Sequence, residues 1–87
     1  MAEIHLPATL QALYADLPRA IDVEAASVGA ALALLDARWP GLLDRLCTPG
    51  PALRRHIHVY VERERADLDA ALGSSTRVDV VAAISGG

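Results

Sequence analysis

The residues best placed to do chemistry are the last two, Gly86 and Gly87. Glycine has no Cβ, so a Gly-Gly segment reaches backbone conformations closed to other residues and fits a narrow channel. An enzyme that activates a terminal carboxylate needs that unhindered approach, first by ATP and then by a nucleophile. Paired glycines also occur as idle, disordered ends, so the elements that precede them decide their weight. His56 and His58 lie two apart on one strand face, a spacing open to zinc; no third ligand is evident, and neutral histidines are common on solvated strand faces. Cys47 is the only cysteine, which rules out an intrachain disulfide or a cysteine metal cluster. Beside Leu46 at the end of an apolar piece, it reads as a small hydrophobe before a relay thiol. No nucleophile–base–acid set, phosphate loop or paired-carboxylate site stands out. The chain therefore reads as a carrier or substrate, not a free-standing enzyme, with no cofactor or metal of its own.

Charge narrows the partners. The formal net charge is −3 and the pI near 5.4, against the basic face that nucleic-acid binders need. All eight cations are arginine and there is no lysine, so no side-chain amine exists to accept an acyl group from another copy of the chain. Arg54, Arg55, Arg63 and Arg65 flank one apolar run and read either as a docking patch or as a solvated edge diluted by Glu62 and Glu64. No basic, then apolar, leader is visible at Met1–His5, and no apolar tract approaches the ~18 residues of a membrane span. A reducing cytoplasm, no membrane and no nucleic acid are the expectations.

The elements that must position the tail are legible as periodicities. Ala2, Ile4 and Leu6 alternate with Glu3 and His5, the period of a half-buried strand ended by Pro7. Residues 7–18 read as a loop with room for one helical turn. Ile21 and Val23 alternate with Asp22 and Glu24 in a second strand over 19–24. Ser27 suits a helix N-cap, and Val28, Ala31, Leu32, Leu35 and Trp39 then form one apolar stripe that Pro40 stops. Leu42, Leu43 and Leu46 suggest a short second helical piece, and Thr48-Pro49-Gly50-Pro51 is a loop. Ile57, Val59 and Val61 alternate with His56, His58 and Tyr60; Tyr60 is open to a partner-anchoring or a cross-strand packing role. Glu62-Arg63-Glu64-Arg65 reads as a charged tip without the Asn-Gly or Asp-Gly of a tight hairpin. Val78, Val80 and Ala82 define a last strand from Arg77.

Two strands, one helix and two or three further strands make an α+β two-layer domain, with a mixed four- to five-stranded sheet crossed by one main helix. The predicted organisation is a domain over 1–83 and a flexible tail over 84–87. Ile4, Leu6, Ile21, Val23, Leu32, Leu35, Ile57, Val59, Val78 and Val80 are its expected core.

With the glycine pair following the last strand after only Ile84-Ser85 as spacer, the chain resembles the MoaD/ThiS family of ubiquitin-like sulfur carriers. The resemblance covers Glu3–Leu6, Arg19–Glu24 with its helix, Ile57-His58-Val59-Tyr60-Val61, and Val78 to Gly87. The chain departs from the family pattern at Gly73-Ser74-Ser75-Thr76-Arg77, where an acidic turn is usual, at Ala82 or Ala83 in place of proline, and at His58 and Glu62 in place of asparagines. The resemblance implies a ubiquitin-like β-grasp. It implies that an activating enzyme uses ATP to adenylate Gly87, while Ile84, Ser85 and Gly86 thread into the partner. A sulfur donor then leaves a thiocarboxylate that feeds an acceptor enzyme or large subunit. The molybdopterin synthase small subunit is the commonest form, with cysteine, thiamine or a specialised metabolite as other outlets. A protein modifier joined through Gly87 and a β-grasp interaction module without an activated end are the rival readings.

Overall fold

A computed structural model describes residues 1–83. The elements are β1 (Ala2–His5), α1 (Ala8–Leu13), β2 (Ala20–Val23), α2 (Val28–Arg38), α3 (Leu42–Leu46), β3 (Cys47–Thr48), β4 (Ala52–Leu53), β5 (Ile57–Val61), β6 (Glu64–Ala66) and β7 (Arg77–Ala82). Five strands form one mixed sheet in the order β2-β1-β7-β5-β6, and β3 pairs with β4 in a separate ribbon. β1 runs parallel to β7, and the other neighbours are antiparallel. This is the β-grasp arrangement, with β7, the last strand, in the middle of the sheet.

The inner face follows from the alternation. Ile4, Ile21, Val23, Ile57, Val59, Val78 and Val80 are buried beneath Val28, Ala31, Leu32 and Leu35 of α2. All ten expected core residues are buried, and Trp39, Leu42, Leu46 and Cys47 extend the same cluster. Removing that apolar surface from water at roughly 25 cal/mol per Å2 is the main force holding helix to sheet.

The start of α2 is closed by the chain itself. Ser27 Oγ accepts the Ala30 N–H at 3.1 Å. The carbonyls of Ala70 and Leu68 accept the N–H groups of Val28 and Gly29 at 3.1 and 2.8 Å. Three of the donors that a helix start leaves orphaned are thus satisfied by protein. Gly29 permits the approach, because a Cβ there would stand 3.2 Å from the Leu68 carbonyl oxygen.

Three regions differ from the sequence reading. Residues 8–13 form the helix α1, where a loop with a single turn was expected; it buries Leu10 and leaves Leu13 at the surface. Of the loop expected over Thr48–Pro51, Thr48 belongs to β3, and only Pro49-Gly50-Pro51 joins the two-residue strands that pair Cys47 with Leu53 and Thr48 with Ala52. The largest difference is the charged tip. Glu64 and Arg65 belong to a strand, and Glu62-Arg63 is a tight two-residue turn joining paired Val61 and Glu64. Both turn residues have positive φ, 50° and 71°, as such turns demand and as glycine or asparagine usually supplies. Contacts from elsewhere hold it: Glu62 Oε1 accepts the Arg77 N–H at 2.9 Å, and the Glu62 N–H donates to the Arg77 carbonyl at 2.9 Å.

Candidate functional site: the end of the central strand

Gly87, Ile84, Ser85 and Gly86, the residues expected to react and to thread into a partner, make up the whole of the expected 84–87 tail and lie outside the described residues. The structure describes what they are attached to. β7 is flanked by β1 and β5, and the ladder persists to Ala83, whose N–H donates to the His56 carbonyl at 2.7 Å. β1 pairs with β7 as far as Asp79 and β5 as far as Ala82, so the chain leaves a strand rooted in the middle of the sheet and held at its end along the β5 side.

Two hollows meet at this end of the sheet. One, of about 170 Å3, is bordered by Pro7, Leu10, Leu13, Leu46, Ile57 and Ala82 together with Arg45 and His56. The other, of about 420 Å3, lies between Gly41, Asp44, Arg45, Arg54 and His56. Local chemistry explains how these side chains arrive. Gly41 takes a φ of 92°, a conformation costly to any residue with a Cβ. Asp36 Oδ1 accepts the N–H groups of Gly41 and Leu43 at 3.1 and 3.0 Å, so the chain turns sharply into α3 and presents Arg45. Arg54 is clamped by two bonds from its guanidinium to the Asp44 carbonyl, at 2.9 and 2.6 Å.

The other singled-out residues fall as follows. Cys47 is buried in the core, and burial pushes its thiol up from the ordinary range, with nearby Arg54 pulling the other way and Asp67 adding to the rise. A thiol held protonated is a poor nucleophile, so packing is the role its surroundings support. Trp39 is core, with its indole N–H donating to Asp16 Oδ1 at 3.1 Å and the Arg38 guanidinium stacked 4.6 Å from the ring centre. His58 and Tyr60 are half-buried on the sheet face opposite α2, beside Val81 and Asp79. His56 is exposed at the strand end. Among the described residues, no three His, Cys, Asp or Glu side chains come together as metal ligands. Arg63 stands at the far end of the sheet from Arg54 and Arg55, because Val61 pairs with Val78 while Ile57 pairs with Ala82. The patch read along the chain is therefore split in space. Arg45, which sequence reading passed over, joins Arg54 instead; it follows Arg54 by no sequence signal, since α3 and β4 meet only in the folded chain.

No family model and no curated protein sequence matches the chain. Solved structures do. A chain of the BexX/CysO complex of Amycolatopsis orientalis superposes with a TM-score of 0.88 at 22% identity, covering 100% of both chains. Small archaeal modifier protein 1 of Haloferax volcanii gives 0.81 at 29% identity over 99% of this chain and 98% of that one. CysO of Mycobacterium tuberculosis gives 0.82 at 22% identity, over 97% and 100%. The fold is a ubiquitin-like β-grasp. No helix among the described residues is long and apolar enough to cross a membrane.

Proposed function

We propose that this chain is a ubiquitin-like sulfur carrier that works through the carboxylate of Gly87, as a chain end either encoded or exposed by trimming. The supporting observation is a Gly-Gly pair joined, through Ile84-Ser85 alone, to the doubly flanked central strand of a β-grasp sheet. The chemistry needs nothing from the side chains. An activating enzyme brings the carboxylate to the α-phosphorus of ATP, giving an acyl-adenylate and pyrophosphate. A sulfide-equivalent nucleophile adds to the acyl carbon and AMP leaves, which yields a thiocarboxylate. Its sulfur attacks an electrophilic acceptor; water then cleaves the acyl–sulfur bond, leaving sulfur on the acceptor and restoring the carboxylate. The mixed anhydride is what makes an unreactive carboxylate open to substitution. A molybdopterin precursor held by a large subunit is the acceptor we favour, with precursors of cysteine, thiamine or specialised sulfur metabolites as alternatives. In this reading the chain is a substrate protein with no cofactor of its own.

Intact-mass measurement after incubation with the host's activating enzyme, ATP and a sulfur donor is the test. The expected product has one oxygen replaced by sulfur and is trapped by an electrophile. Deleting Gly87 should abolish it, because the new end falls one residue, roughly 3.5 Å, short of the attacking site. Absence of both adenylate and thiocarboxylate with the intact chain would end the carrier reading. A second reading is favoured by the 29% identity to an archaeal modifier protein: conjugation of Gly87 to lysines of other proteins. Isopeptide-linked peptides in digests from the host would establish it. With no lysine in the chain, only single attachment is open, never lysine-linked chains of itself.

A further inference from the structure

The two ends of the sheet carry opposite charge. Where β7 begins, register gathers Glu3, Asp22, Glu24, Glu62 and Glu64 against only Arg63 and Arg77. Where β7 ends, Arg45, Arg54 and His56 line one hollow, and Arg54, Arg55 and Arg65 line the next, of about 480 Å3. Asp44 and Asp67 are the carboxylates bordering these two hollows. Three of the eight arginines, Arg45, Arg54 and Arg55, thus lie around the chain's exit, with Arg65 farther back at the level of Asp79, while the remaining four share the rest of an acidic molecule with nine carboxylates. An arrangement of this kind is an electric dipole with its positive pole at the exit.

We infer that this arginine collar docks on an acidic rim surrounding the entrance of the enzyme that receives the Gly-Gly tail. It rests on the carrier reading above, and it adds the chemistry of the partner surface. Threading a narrow segment into a channel needs the body to arrive tail first. Opposite charges within about a Debye length of 8–10 Å orient the encounter, and planar guanidinium groups then pair with carboxylates two bonds at a time. The negative far end disfavours the reversed approach. Arg54 is already held by the Asp44 carbonyl, so its position is set before the partner arrives. Arg45 and Arg55 supply the adaptable contacts.

The test uses the full chain, the host's adenylating enzyme and binding by interferometry from about 50 to about 300 mM NaCl. Arg45→Gln/Arg55→Gln should slow association about five- to ten-fold and flatten its salt dependence. Loading should fall in parallel at low carrier concentration and recover at high concentration, with the KM for ATP unchanged. Arg63→Gln/Arg77→Gln, which removes the same charge from the other end, should bind like wild type. Arg45→Lys/Arg55→Lys, which keeps the charge, should retain most of the association rate; thermal melting confirms that each variant folds. Equal effects of the two glutamine pairs, no effect of either, absent binding by the wild type, or a loss expressed in the KM for ATP would each overturn the inference. Arginine-dependent, salt-sensitive binding with no adenylate or thiocarboxylate formed would instead uphold the collar and refute the carrier reading.

Discussion

The sheet has one end that is tied shut and one that is left open. At the start of β7 the backbone is bonded on every side: Glu62 to Arg77 by backbone and side chain, Thr76 to Glu3, and Ser75 to Met1. The turn residues there sit in the left-handed region without glycine, and the contacts around them hold them in it. At the finish of β7 the last described bond is that of Ala83 to His56, and around it lie hollows walled by arginines and by α1. Both ends stand on the same core. The difference lies in how the polar groups are used: largely in bonds across the ladder at the closed end, whereas at the open end Arg45, Arg55 and His56 border open hollows.

Disrupting the shared core should harm both ends alike. Leu32 is fully buried between α2 and the sheet, and Leu32→Ala should cost about 2–5 kcal/mol in urea unfolding. A smaller loss would mean that helix and sheet relax around the gap, and that neither end depends on a rigid middle. Gly41→Ala is aimed at the open end. It places a Cβ in a left-handed conformation and 3.1 Å from the Tyr14 hydroxyl. A loss of about 1–2 kcal/mol is expected, together with amide NMR shifts confined to α3, Arg54 and His56. Shifts spread equally to Glu62 and Arg77 would break the distinction between the ends.

The closed end should respond in the other direction. Arg63→Gly removes a left-handed penalty of about 1–2 kcal/mol and adds about 0.5–1 kcal/mol of unfolded-state entropy. The net gain of about 0.5–1 kcal/mol should raise the melting temperature by a few degrees. A fall would show that the Arg63 side chain contributes more than its backbone strain costs.

The smallest expected effect is at Cys47, in the wall behind the open end. Its thiol is held up by burial, so the folded chain keeps it protonated where an unfolded thiol, near pH 8.5, ionises. The stabilisation is complete below that pH and is lost as pH rises through the folded value. Unfolding midpoints of wild type and Cys47→Ser should therefore keep a constant gap below about pH 8.5 and converge as pH rises above it. Loading of Gly87 in the variant should match wild type; a loss of loading would make Cys47 a relay after all.

The order of strands, the main helix and the identity of the core were legible because each depends on side-chain period within a short stretch. Ile4, Val59 and Val80 could face only one way if their polar neighbours were to stay in water, and Ser27 and Pro40 bracket α2 by chemistry local to each. The glycine pair is likewise a local signal. The Glu62-Arg63 turn was not legible, because what holds two residues at positive φ is a bond to Arg77, remote in the chain. Nor was the grouping of Arg45 with Arg54 and His56, or the separation of Arg63 from Arg55. Period and composition determine which residues go inside; which charged residues become neighbours outside is decided by strand register and the path of α3, and these exist only once the sheet has closed around β7.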